Sequence, residues 1–162
     1  MKKILFLFCF LAVTAVTYAQ QIPKWKITDF EKYISDSKDE VLVINFWATF
    51  CKPCVAEIPS FISIATKYKG AKVRLMLVSL DLKSEYPAGI TAFAKKHKFG
   101  TNLIAWLDET NADYFCPKAD PKWSGSIPAT LIINTKTGYR KFFEEEMSAS
   151  NFQKELQAAV LN

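Results

Sequence analysis

Two cysteines stand three positions apart in Trp47-Ala48-Thr49-Phe50-Cys51-Lys52-Pro53-Cys54. Thiols at that spacing can hold a metal, staple a fold or exchange electrons. A zinc site needs about four ligands. Outside this pair and the first 19 residues, the chain offers one cysteine, Cys116, and one histidine, His97, set among lysines. A disulfide across two intervening residues closes so small a loop that it constrains the unfolded chain little. Electron exchange is the use left standing.

Such chemistry needs elements that hold the pair. "VLVINFW", Val41 to Trp47, is a nearly continuous apolar run rich in β-branched and aromatic residues, which predicts a central strand buried on both faces. From Cys54 onward, Ile58, Phe61, Ile62, Ala65 and Tyr68 recur at helical steps, predicting a helix that closes near Lys69-Gly70 and is kinked at Pro59. A strand feeding directly into a helix sets Cys51 at the helix N-terminus, where unpaired amides and the helix dipole favour a thiolate. Lowering a thiol pKa from about 8.5 to about 7 requires roughly 2 kcal/mol, and a helix terminus supplies about 0.3 to 1, at best near 2. Lys52 and local donors therefore have to contribute. Cys51, the outer thiol, is the expected nucleophile, and Cys54, inside the first turn, the expected resolving thiol.

The remaining chain alternates strand and helix. Thr28-Asp29-Phe30-Glu31 has the capping-box pattern ahead of a short amphipathic helix carrying Phe30, Tyr33 and Ile34. "KVRLMLVSLD" reads as a second buried strand, "GITAFAKKHKF" as a helix with Ile90, Phe93 and Ala94 on one face, and "NLIAWL" as a short strand. "DETNADYFCPKADPKWSGS" reads as a loop. "ATLIINT" and "YRKFFEE", joined through Gly138, read as a hairpin, and "SASNFQKELQAAVLN" as a final helix capped by Ser148 or Ser150. Strand, helix, strand, helix favours parallel pairing through crossovers, an α/β architecture.

The chain has 162 residues, half of them hydrophobic, enough for one domain with a real core. It opens with Lys2 and Lys3, the apolar run Ile4 to Val16 and the small-residue site Thr17-Tyr18-Ala19, which reads as a signal peptide over residues 1–19 ahead of a domain over 20–162. The apolar run is shorter than the roughly 18 residues of a membrane-spanning helix, and Cys9 leaves with the leader. Losing two lysines and no acids takes the formal charge from +5 to +3. The lysines are scattered without a stripe of interleaved aromatics, which gives nucleic-acid binding little support. Export, to a periplasm or beyond, places Cys51, Cys54 and Cys116 where disulfides form and persist.

"NFWATFCKPC", followed by "EIP" and much later by "SIPAT", resembles the exported TlpA/ResA-like group of thioredoxin-fold thiol:disulfide oxidoreductases from Val41 to the final helix. The resemblance implies a thioredoxin-like fold with a central mixed sheet flanked by helices, and a redox pair Cys51/Cys54. It also implies a substrate-binding surface formed by Trp47, Ile127 and Pro128. Pro128 matches a cis-proline beside the pair, and Ile127 presents backbone groups to a bound strand. Asn45 stands where thioredoxins proper carry an aspartate. Glu57 matches the glutamate of the ResA-like branch, one turn beyond Cys54 and within reach for proton transfer; its other reading is an exposed acid that merely favours the helix dipole. Protein thiols or disulfides are the implied substrates, re-reduction comes from a membrane-bound electron-donor protein, and no cofactor, metal or nucleic acid takes part.

An ionised Glu57 would oppose thiolate formation and favour a reductase over an oxidase, and no histidine lies between the cysteines, although Lys52 pulls the other way. A second reading is a copper-delivery module of the same fold, which typically has wider cysteine spacing and a partner histidine. A peroxidase would need a threonine-to-cysteine spacing that is missing. Cys116 is either a third redox thiol near "SIPAT" or a small buried hydrophobe. His97 is a surface residue, Trp106 and Trp123 fill core or line the site, and "FFEEE" is a strand end running into a solvated charge cluster.

Overall fold

Strand β2 (Val41–Trp47) is the axis of the fold, with all seven residues buried. The computed structural model describes residues 21–100 and 103–162, so the expected leader, with Cys9, lies outside the described residues. On one side β2 pairs in parallel with β3 (Val73–Ser79), and on the other it pairs antiparallel with β5 (Ala129–Asn134). Beyond β3 lie β4 (Ile104–Leu107) and the two-residue edge β1 (Lys24–Trp25), both parallel to their neighbours, while β6 (Arg140–Phe143) closes the far edge against β5. The sheet is therefore mixed, in the order β1-β4-β3-β2-β5-β6. β5 and β6 form the expected hairpin, with Gly138 at φ +80° supplying the left-handed turn residue.

Because β2 is buried on both faces, its alternate residues enter two separate cores. Val41, Val43 and Trp47 face α2 (Lys52–Lys67), α3 (Ala88–Lys96) and α5 (Ala149–Leu161). Leu42, Ile44 and Phe46 face α1 (Ile27–Asp36) and α4 (Ala112–Ala119). In the first core Phe61 of α2 stacks on Phe152 of α5 with ring centroids 3.9 Å apart. In the second, Phe46 meets Phe30 and Trp123 at 5.6 and 4.3 Å. Fully burying one such aromatic is worth about 1.5–3 kcal/mol, so each face is held by several apolar anchors. No helix among the described residues is long and apolar enough to cross a membrane.

Several local expectations are corrected. The first helix starts with Lys26 as its cap, because Asp29 rather than Glu31 reaches back, accepting the Lys26 amide at 2.8 Å. α2 holds Pro59 within it and closes at Lys67, near the expected end. The segment read as a loop contains α4, which tolerates Pro117 because Phe115, Cys116 and Ala119 are buried against the sheet. An unexpected strand, β1, precedes the first helix, and the Pro23 and Trp25 carbonyls accept the Trp106 and Asp108 amides at 2.9 and 2.8 Å. Ser148 caps α5, accepting from the Asn151 amide at 3.2 Å.

Candidate active site at the start of helix α2

β2 delivers the chain to a tight turn in which the Cys51 amide donates to the Ala48 carbonyl at 3.0 Å. Cys51 then serves as the N-cap of α2, and the Cys54 amide, one of the orphan donors of the first turn, donates to Cys51 Sγ at 3.3 Å. The local donor that the dipole alone required is thus in place. The two cysteines are joined by a disulfide. Cys51 is 7 % exposed and Cys54 fully buried, so only Cys51 can be reached from solvent, and Phe50 beside it is 68 % exposed.

Glu57 is not an exposed dipole-favouring acid: it is 4 % exposed. Its Oε1 accepts from Asn45 Nδ2 at 2.8 Å and its Oε2 from the Met147 amide at 2.8 Å. Burial pushes its pKa up to about 7; the hydrogen bonds from Met147 and Asn45 oppose that rise, and the nearby Glu146 charge adds to it. Asn45 also donates to Thr130 Oγ1 at 3.0 Å, tying the start of β5 to the same network. Helical spacing places Glu57 one turn beyond Cys54 on the same face.

The Ile127–Pro128 bond is cis. Phe46 of β2 pairs with Ala129 of β5, so continuing that register sets Pro128 opposite Trp47 and Ile127 opposite Ala48, at the end of β2 from which the cysteine turn emerges. Ile127 is half-buried and Pro128 buried. The Trp47 side chain is fully buried, packed 5.6 Å from Phe99 and 6.0 Å from Phe93.

Cys116 belongs to the other core, across the sheet from the pair. Burial, then the charges of Glu144 and Asp113, push its pKa up to about 11, making it a small buried hydrophobe. His97 is exposed and stacked on Phe93 at 4.2 Å, while Trp106 and Trp123 fill core. Glu144 is not simply solvated: it accepts from the Ser124 and Ser126 amides at 3.1 and 2.9 Å, clasping the turn that leads into Ile127. No group of three or more His, Cys, Asp or Glu side chains is close enough to hold a metal among the described residues.

One residue that shapes the site went unread in the sequence. Asp81, after β3, accepts from the Thr49 amide and hydroxyl at 3.0 and 2.5 Å. Its only signal was an acid directly following a buried strand, Ser79-Leu80-Asp81, at the strand end where parallel sheets gather their ligands.

A central mixed sheet covered on both faces, with a cysteine pair capping the helix after the central strand and a cis-proline alongside, defines a thioredoxin-fold thiol:disulfide oxidoreductase. The chain belongs to the AhpC/TSA family, which matches residues 18–139. It is similar to the thiol-disulfide oxidoreductase ResA of Geobacillus kaustophilus, at 24 % identity over 92 % of this chain and 82 % of that one. Among solved structures it resembles a thioredoxin-related protein from Neisseria meningitidis serogroup B, with 27 % identity, TM-score 0.61 and coverage of 78 % of this chain and 87 % of that one. It shares the fold of a secreted Mycobacterium tuberculosis disulfide oxidoreductase, with 17 % identity, TM-score 0.57 and coverage of 76 % and 85 %.

Proposed function

We propose that this oxidoreductase is an exported reductase of protein disulfides, with Cys51 as nucleophile, Cys54 as resolving thiol and Glu57 as the group that takes the Cys54 proton. The observation that carries this reading is the buried Glu57, one turn from a buried Cys54, while Cys51 alone reaches solvent. In the reduced protein the Cys51 thiolate attacks one sulfur of a substrate disulfide. The substrate S–S bond breaks, one substrate thiolate leaves and is protonated by water, and a mixed disulfide forms. Cys54 gives its proton to Glu57 and attacks Cys51 Sγ. The mixed disulfide breaks, the second substrate thiolate leaves, and the Cys51–Cys54 disulfide remains. Two electrons have passed to the substrate, and a membrane-bound dithiol donor returns them.

A carboxyl group with a pKa of about 7 can both accept and release that proton near neutrality. When ionised it opposes charge on the neighbouring thiols, which leaves the reduced pair less stabilised and more reducing. Ile127 and Pro128 bind the substrate strand, with Trp47 in a supporting role. The leader over residues 1–19 directs the domain over 20–162 to the periplasm or another exported location, and the secreted Mycobacterium relative supports that placement.

Insulin reduction by the purified protein tests the activity: turnover is expected, and activity unaffected by Cys51→Ser would overturn it. Stoichiometric Cu(I) binding that blocks thiol alkylation, without disulfide turnover, would replace it with a copper carrier. The direction is read from the reduction potential, expected nearer thioredoxin's value of about −270 mV than the about −120 mV of a strong oxidant of this fold.

A further inference from the structure

Asp81 is 4 % exposed, and its carboxylate is surrounded by donors. The Thr49 amide lies 3.0 and 3.2 Å from its two oxygens, the Thr49 hydroxyl 2.5 Å from Oδ1 and the Ser79 hydroxyl 2.8 Å from Oδ2. The Asp81 amide donates back to Ser79 Oγ at 3.2 Å, and its carbonyl accepts from Trp106 Nε1 at 2.8 Å. Among the described residues it forms no ion pair. A carboxylate buried among neutral donors is a costly way to join two loops, since burying such a group is unfavourable unless all its hydrogen bonds are made. What this one achieves is specific: it grips Thr49 by both amide and hydroxyl, two residues before Cys51.

The grip matters most when the pair is reduced. In the oxidised protein the disulfide ties Cys51 to α2. After reduction that covalent tie is gone and hydrogen bonds alone hold the turn: the Cys51 amide on the Ala48 carbonyl at 3.0 Å, the Cys54 amide on Cys51 Sγ at 3.3 Å, the Val55 amide on the Cys51 carbonyl at 3.1 Å, and Asp81 on Thr49, the one hold that ties the turn to β3. Asp81 is itself anchored from β3 through Ser79 and from β4 through Trp106, so the position of Thr49 is referred to the rigid sheet. We propose that Asp81 is a positioning residue for the Cys51 thiol, latching the Ala48–Cys51 turn to the end of β3 so that Cys51 stays the cap of α2 when the disulfide opens. This rests on Cys51 being the nucleophile of the proposed function.

The test is the pH profile of iodoacetamide alkylation of Cys51 in the reduced full-length protein. Asp81→Ala is expected to move the midpoint up by about one pH unit and to slow alkylation about three- to fivefold below that midpoint, because the thiol loses contact with the Cys54 amide. Asp81→Asn keeps an acceptor for Thr49 and is expected to restore the rate to within about twofold of wild type. Thr49→Val, which removes only the hydroxyl donor, keeps the test open if Asp81→Ala does not fold, and is expected to shift the profile in the same direction by less. Profiles of folded Asp81→Ala or Thr49→Val that superimpose on wild type, or Asp81→Asn as impaired as Asp81→Ala, overturn the latch alone. Wild-type protein in which Cys54 is alkylated before Cys51 overturns the nucleophile assignment and the latch with it.

Discussion

Each face of the sheet buries a helix that carries cysteine, and only one of those helices can do thiol chemistry. Cys51 caps α2, where a backbone amide points at its sulfur and the side chain touches solvent. Cys116 sits in the middle of α4, 3 % exposed, beneath the turn at Gly125, where burial and then acidic neighbours push its thiol up to about 11. Residue type and compartment are the same for both. The difference is where the sulfur lies relative to a helix end, which decides whether orphan donors or apolar walls surround it.

The largest effect expected from breaking this contrast is in turnover. Cys51→Ser should lower disulfide reduction on the order of a thousandfold or more, since nucleophile and resolving thiol act as a unit, whereas Cys116→Ser should stay within about twofold of wild type. Comparable losses in both would mean that the two faces communicate through thiols. Mass mapping of the reduced, folded protein sharpens the same point: iodoacetamide should label Cys51 and leave Cys116 untouched until denaturant is added.

Glu57 extends the contrast to stability. Its folded pKa of about 7 lies above the ordinary 4.5, so between those values the folded state binds more protons than the unfolded state. Its contribution is therefore most favourable below about pH 4.5 and is lost as pH rises through 7, by on the order of 3 kcal/mol. Denaturant titrations of the oxidised protein at pH 5 and pH 8 should show that loss, and Glu57→Gln should flatten it. A wild-type protein equally stable at both pH values would place Glu57 in water. The smallest expected effect is on the quiet face: Gly125 adopts φ +101° directly over Cys116, and Gly125→Ala should cost about 1–2 kcal/mol in thermal unfolding while leaving Cys51 alkylation unchanged.

Much of this was legible along the chain because the relevant signals are local. The apolar run of β2, the helical spacing of α2 and the Gly138 turn each contain their own physical reason within a few residues. α4 was not legible, because Pro117 argues against a helix and only burial of Phe115, Cys116 and Ala119 outweighs it. β1 was missed because a two-residue strand has no periodicity of its own and exists through hydrogen bonds to β4, some 80 residues away. Trp47 was read among the substrate-binding residues, and strand alternation turns its side chain into the core shared by α2 and α3.

The sequence by itself determined that a cysteine pair follows a buried strand into a helix, that an acid stands one turn later and that a proline waits downstream, since type and spacing are one-dimensional facts. Tertiary structure alone decided what those residues experience. The pKa of Glu57 depends on its burial, opposed by Met147 and Asn45, the isolation of Cys116 on a sheet lying between it and the pair, and the hold on Thr49 on an aspartate 32 residues away. Burial and hydrogen-bond partners are set by which elements pack together, and long-range packing leaves no fixed spacing in the chain to read.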